Sequence, residues 1–132
     1  MKVRKPPVRK PAPRKAGAKK KNRAEELYKK GRLTDETVNL ALEMADAEFV
    51  ISALALRAGI PRVNAKFILE SRSPRTVTAL CWKAGLSMRF ALEVQNRISQ
   101  IPPNQLLYSH DGIEYPMSPD EMDFQLELVL ES

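Results

Sequence analysis

Cysteine, histidine and aromatic residues are scarce in this 132-residue sequence, and each shortage excludes something. The single cysteine, Cys81, cannot close an intramolecular disulfide or join a multi-cysteine metal cage, so a reducing compartment is the expected setting. His110 is the one histidine. With Asp111 beside it there are too few ligands for a defined metal site, and it reads as a turn residue. No apolar run approaches the roughly 18 residues that span a bilayer. The N-terminus also lacks the apolar core that a secretory signal carries behind its basic start. A cytoplasmic protein without a transmembrane segment is the expectation. A Gly-rich phosphate loop and a nucleophile-base spacing are both missing, so neither catalysis nor a cofactor is expected.

Charge of one sign is missing from each end. Residues 1–23 contain no acidic, serine or aromatic residue, yet hold 11 of the 22 basic ones: Lys2, Arg4, Lys5, Arg9, Lys10, Arg14, Lys15, Lys19, Lys20, Lys21 and Arg23. The rest of the chain has 11 basic and 16 acidic residues, a net charge of −5 (11 − 16), and no Lys or Arg follows Arg97. The overall +6 is therefore a sum of opposites. Dense like charge and Pro6, Pro7, Pro11 and Pro13 cannot bury enough surface to offset backbone ordering, which predicts a disordered arm over 1–23 and a folded domain over 24–132. An organelle transit peptide would be amphipathic and Ser-rich, unlike this arm.

What the sequence does have is repetition. Ala53-Leu54-Ala55-Leu56-Arg57-Ala58-Gly59-Ile60-Pro61 returns as Ala79-Leu80-Cys81-Trp82-Lys83-Ala84-Gly85-Leu86-Ser87, an offset of 26 residues (79 − 53). An apolar helix, a basic residue, Ala-Gly and then a helix starter is the order expected where one helix ends and another begins at once. The spacing predicts a short helix ending at Gly31 and a second capped by Thr34, with Val38, Ala41, Leu42 and Ala45 as its core stripe. Asp46 caps the next, whose Phe49, Val50, Ala53, Leu54 and Leu56 predict the most buried helix. Pro61 fits the first turn of its partner, with Val63, Phe67 and Ile68 facing inward. Ser73-Pro74 and Ser87 open two more helices, with Val77, Leu80, Cys81 and Ala84 inward in one and Phe90, Ala91, Val94 and Ile98 in the other. Asp111-Gly112 between Leu106-Leu107-Tyr108 and Ile113-Glu114-Tyr115 predicts a β-hairpin at about 105–116. Ser118-Pro119-Asp120-Glu121 then opens a last helix at about 118–130, with Met122, Leu126, Val129 and Leu130 on one face. The expected fold is all-α: stacked antiparallel helical hairpins, repeat-like, closed by that β-hairpin and helix.

The run Thr76-Val77-Thr78-Ala79-Leu80-Cys81-Trp82-Lys83-Ala84-Gly85-Leu86-Ser87-Met88-Arg89, with Gly31-Arg32-Leu33-Thr34 and Ala53-Leu54-Ala55, resembles the C-terminal part of domain-of-unknown-function 2336 over roughly Gly31 to Leu130. That resemblance implies a bacterial cytoplasmic protein of stacked helices and carries no catalytic residues. The chain departs from the family in its shortness and its basic arm.

Alignment of the two copies places Trp82 with Leu56 and Cys81 with Ala55, as core rather than ligand or nucleophile positions. Asp120, Glu121 and Asp123 at a helix start read as dipole partners, not acid/base groups. The reading is a non-catalytic helical interaction or adaptor module, with a protein partner not identifiable from sequence. The alternative is nucleic-acid binding. Arm cations would meet phosphates and release counterions, or meet another acidic partner, while Arg62, Asn64 and Lys66, with Arg89, Gln95 and Arg97 from the second copy, would be presented to a duplex. Ala55, Gly59 and Ile68, and again Cys81, Gly85 and Val94, have helix-turn-helix spacing.

Overall fold

The computed structural model describes residues 23–109, 111 and 114–130. The basic arm up to Asn22, and His110 and Gly112 of the expected hairpin turn, lie outside the described residues. Seven α-helices are present among those described: α1 over 23–29, α2 Asp35–Glu43, α3 Ala47–Ala58, α4 Arg62–Ser71, α5 Pro74–Lys83, α6 Met88–Arg97 and α7 Pro119–Leu130. A single 3-10 turn, Pro103–Gln105, follows α6.

Local chemistry sets these boundaries. Thr34, Asp46, Ser73 and Ser87 each accept a hydrogen bond from the backbone N–H three residues on, satisfying a donor that the first helical turn leaves open. At α7, Ser118 Oγ accepts from Glu121 N at 3.2 Å while the Glu121 carboxylate accepts from Ser118 N, a reciprocal capping box at the helix start expected from Ser118-Pro119-Asp120-Glu121. Pro61 stands one residue earlier than expected, at the N-cap of α4. The helices stop at left-handed residues: Gly59 (φ 75°) and Gly85 (φ 79°) after α3 and α5, and Ala45, Arg72 and Gln100 after α2, α4 and α6. Ala45, expected in the core stripe, is instead this exposed turn residue, because Asp46 N reaches back to Ala41 O at 2.9 Å and closes α2 there.

Helices α3 and α5 form the centre. Phe49–Ala55 of α3 and Thr76–Cys81 of α5 are buried without interruption. Around them α5 packs on α3, α4, α6 and α7, α3 packs on α2 and α4, and α2 also meets α6. Cys81 and Ala55 are both buried, and Trp82 and Leu56 are both half-buried against the core, as the alignment of the copies implies.

Two further expectations are corrected. No strand occurs among the described residues of 105–116. The backbone of Leu107, which a hairpin would pair with the opposite strand, is claimed by Gln95 of α6: its N–H donates to Gln95 Oε1 at 2.8 Å and its carbonyl accepts from Gln95 Nε2 at 3.0 Å. Ser109 and Asp111 then turn the chain with their own side chains, Asp111 Oδ1 accepting from Glu114 N at 2.9 Å. The second correction concerns α4, whose Val63 and Phe67 are 72% and 59% exposed, while Ala65, Ile68 and Leu69 form the inward stripe. Arg62 accords with this rotation. Its guanidinium lies on α3 at Ser52 and Glu48, and Val63 and Phe67 stand away from that side.

Candidate functional site

The repeated basic residue before each Ala-Gly turn is where the structure concentrates its polar contacts. Arg57, at the last turn of α3, is only 17% exposed and spreads its guanidinium over three segments. Nε donates to Ala84 O at 2.9 Å, Nη1 donates to Leu33 O at 3.3 Å, and Nη2 pairs with Asp35 at 2.7 Å. A planar fork is needed to reach acceptors in these directions at once. Its counterpart Lys83 reaches α7 instead, pairing with Asp123 at 3.2 Å and lying 5.5 Å from the Trp82 ring centroid. In both copies the basic side chain meets an acidic residue of another helix, Asp35 in the first turn of α2 and Asp123 in the second turn of α7. Together Arg57, Lys83, Asp35, Glu36 and Tyr28 border an open cleft of about 760 Å³.

The residues proposed for nucleic acid are distributed differently. Arg23 stands in α1 with its guanidinium 4.8 Å from the Phe49 ring centroid. Arg62 donates from Nε to Ser52 Oγ at 2.8 Å and pairs with Glu48. Gln95 is buried and spent on Leu107, and Arg97 pairs with Glu93 at 2.8 Å. Arg89 and Lys66 are exposed. Arg62 borders a small cavity of about 110 Å³ with Glu25 and Leu56, whereas Arg89 borders a separate groove with Asn39, Glu43 and Glu93. The two helix starts therefore do not share one surface groove. Lys2, Arg4, Lys5, Arg9, Lys10, Arg14, Lys15, Lys19, Lys20 and Lys21 lie outside the described residues.

Among the described residues, Cys81 and the hydroxyl of Tyr115 are turned inward. Burial pushes the Cys81 thiol up, far from the range in which a thiolate forms at neutral pH. Tyr115 is raised too, first by burial and then by Cys81 nearby, and its hydroxyl donates to Leu86 O at 2.6 Å, fastening the loop before α7 to the turn after α5. Sequence reasoning missed the three-way reach of Arg57 and the outward turn of Val63 and Phe67. The recurrence of a basic residue at 57 and 83 was the available signal for the first.

Among the described residues no helix is long and apolar enough to cross a membrane. Neither a curated protein nor a solved structure matches the chain. A family model described as "Uncharacterised protein conserved in bacteria" does match, over residues 1–107. The matched stretch takes in the basic arm, which the sequence reading set apart from the family, and stops short of α7. With most of its length inside that match, the chain belongs to the bacterial DUF2336 family.

Proposed function

We propose that this protein is a non-catalytic helical interaction module acting in the bacterial cytoplasm, an adaptor that offers a protein partner a firm helical surface while its arm adds electrostatic attraction. The observation that carries this reading is the commitment of Arg62 and Gln95 to partners within the fold. Arg62, at the start of α4, and Gln95, in the body of α6, serve packing, where a base-reading helix would keep them open to a groove. The inward placement of Cys81 and Tyr115 supports a role without covalent chemistry.

A second reading, nucleic-acid binding, is favoured by the charge of the arm and the exposure of Arg89. Salt titration separates the two. Full-length chain and chain lacking residues 1–22 are compared on duplex DNA and RNA of unrelated sequences. The adaptor reading expects weak binding, indifferent to sequence, that falls by roughly a thousandfold or more between 50 and 200 mM salt if six or more phosphates are engaged, and that vanishes with the arm. Tight, sequence-selective duplex binding by the folded part alone would overturn it in favour of helix-turn-helix recognition.

A further inference from the structure

Helix α7 contains no basic residue, and its outer side is acidic and apolar at once. Met122 and Leu126 face the core, and the helical repeat then places Asp120, Phe124, Glu127 and Leu128 together on the opposite side. Phe124 and Leu128 are 56% and 53% exposed and form a ridge along the helix. Asp120 and Glu127 border that ridge on one flank, exposed, and neither makes an ion pair among the described residues. The acids of α2 stand otherwise. Asp35 is paired with Arg57, Glu36 shares a cleft with Lys83, and Glu43 shares a groove with Arg89 and Arg97. The outer face of α7 therefore combines uncompensated negative charge with bare apolar surface.

The chain carries the complement of that face in its own sequence. Residues 1–22 hold ten basic residues and no acidic one. They lead into Arg23, whose guanidinium already lies 4.8 Å from the centroid of an aromatic ring, that of Phe49 at the start of α3. The fold links this point to α7. Ala47 and Glu48 of α3 border one groove with Arg72, and Arg75, three residues on, approaches Glu121 of α7 at 3.9 Å. Fully extended, 22 residues reach about 70 Å, roughly twice the width of a small domain. Lys and Arg suit both properties of the face, since their stems cover apolar side chains and rings while their heads meet carboxylates. We propose that the basic arm, residues 1–22, docks on the outer face of α7 in the same chain, its cations against Asp120 and Glu127 and over the Phe124 ring. The contact holds the arm back from outside polyanions until one of them displaces it. This goes beyond the adaptor reading, because it gives the arm a seat within the chain, and it stands independently of which outside partner the arm meets.

Paramagnetic broadening of NMR signals in the full-length chain tests the contact. A nitroxide is attached at Lys5→Cys, Cys81 being buried away from the reagent, and amide signals are recorded in dilute solution at low salt. Signals of Phe124 and Leu128 should broaden while those of Leu40 and Met44 on α2 do not, and Asp120→Asn with Glu127→Gln should abolish the effect. Both substituted positions are exposed, so helical circular dichroism should be unchanged. Affinity for a duplex DNA probe gives a second readout. With the arm docked about nine-tenths of the time, the two α7 neutralisations should tighten binding by roughly tenfold. Glu36→Gln with Glu43→Gln, an equal change of net charge on α2, should do much less. Unbroadened α7 signals overturn the inference. Broadening that arises only between labelled and unlabelled chains in a mixed sample also overturns it, since the occupant is then the arm of a second copy. Equal gains in DNA affinity from the α2 and α7 pairs count against it in the same way.

Discussion

Arg57 illustrates how one side chain can matter through geometry more than through charge. Its partner Asp35 is 58% exposed, so the ion pair is screened and contributes little, whereas the carbonyls of Ala84 and Leu33 receive donors from a largely buried guanidinium. Arg57→Met should therefore lower unfolding stability by about 2–3 kcal/mol, from lost charged hydrogen bonds to carbonyls left without donors. Asp35→Asn should cost no more than about 0.5–1 kcal/mol. Arg57→Lys should recover less than half of the loss, because a point charge on a flexible stem reaches one acceptor at a time. Urea unfolding followed by circular dichroism measures all three, and full rescue by lysine would show that charge alone is what counts.

At the scale of the element, the left-handed residues that end the helices are of two kinds. Gly85 takes its conformation freely, and a Cβ added there would meet only Arg57 Nη2 at 3.5 Å, an ordinary contact. Arg72, exposed and at φ 59°, takes the same conformation against the steric preference of an L-residue, a cost of about 1–2 kcal/mol. Arg72→Gly should raise stability by about 0.5–1 kcal/mol after the extra unfolded-chain entropy of glycine is subtracted, and Gly85→Ala should lower it by a similar amount. Shifts of urea midpoint in opposite directions are the expected result, and a loss at both sites would mean that Arg72 holds the turn by contact. Helix boundaries of this kind were legible in the sequence, because Thr34, Asp46, Ser73, Ser87 and Ser118 act on backbone only three residues away. The β-hairpin was misread for the converse reason: Asp111-Gly112 is a local signal, and the group that outcompetes a strand pairing, the Gln95 amide, belongs to a helix 12 residues from Leu107. In α4 two faces fit helical periodicity, Val63-Phe67 and Ala65-Ile68-Leu69, and contacts to α3 decide between them. Of the candidate site, the cationic residues could be named from sequence, but not which of them the fold would occupy.

For the whole molecule, α7 is the element with the most unusual standing, since it lies beyond the family match yet covers α5, the central helix. Met122 and Leu126 are buried beneath it, and Lys83–Asp123 and Thr76–Gln125 join its flanks to α5. Burial of two such side chains contributes about 3–6 kcal/mol as an upper figure, comparable with the whole stability of a small domain. A chain ending at Met117 should accordingly lose about 3–5 kcal/mol and bind the dye ANS through uncovered α5, measured by urea unfolding and dye fluorescence. Native-like stability without α7 would show that α5 closes over by itself. Arg57 has a consequence at this scale as well. Its acceptors lie in the turn before α2 and in the turn after α5, on either side of the helix that carries it. A further hairpin inserted between α3 and α5 would carry Ala84 out of reach and break the joint. The stretch between α3 and α5 is thus closed to the gene duplications by which repeat proteins lengthen.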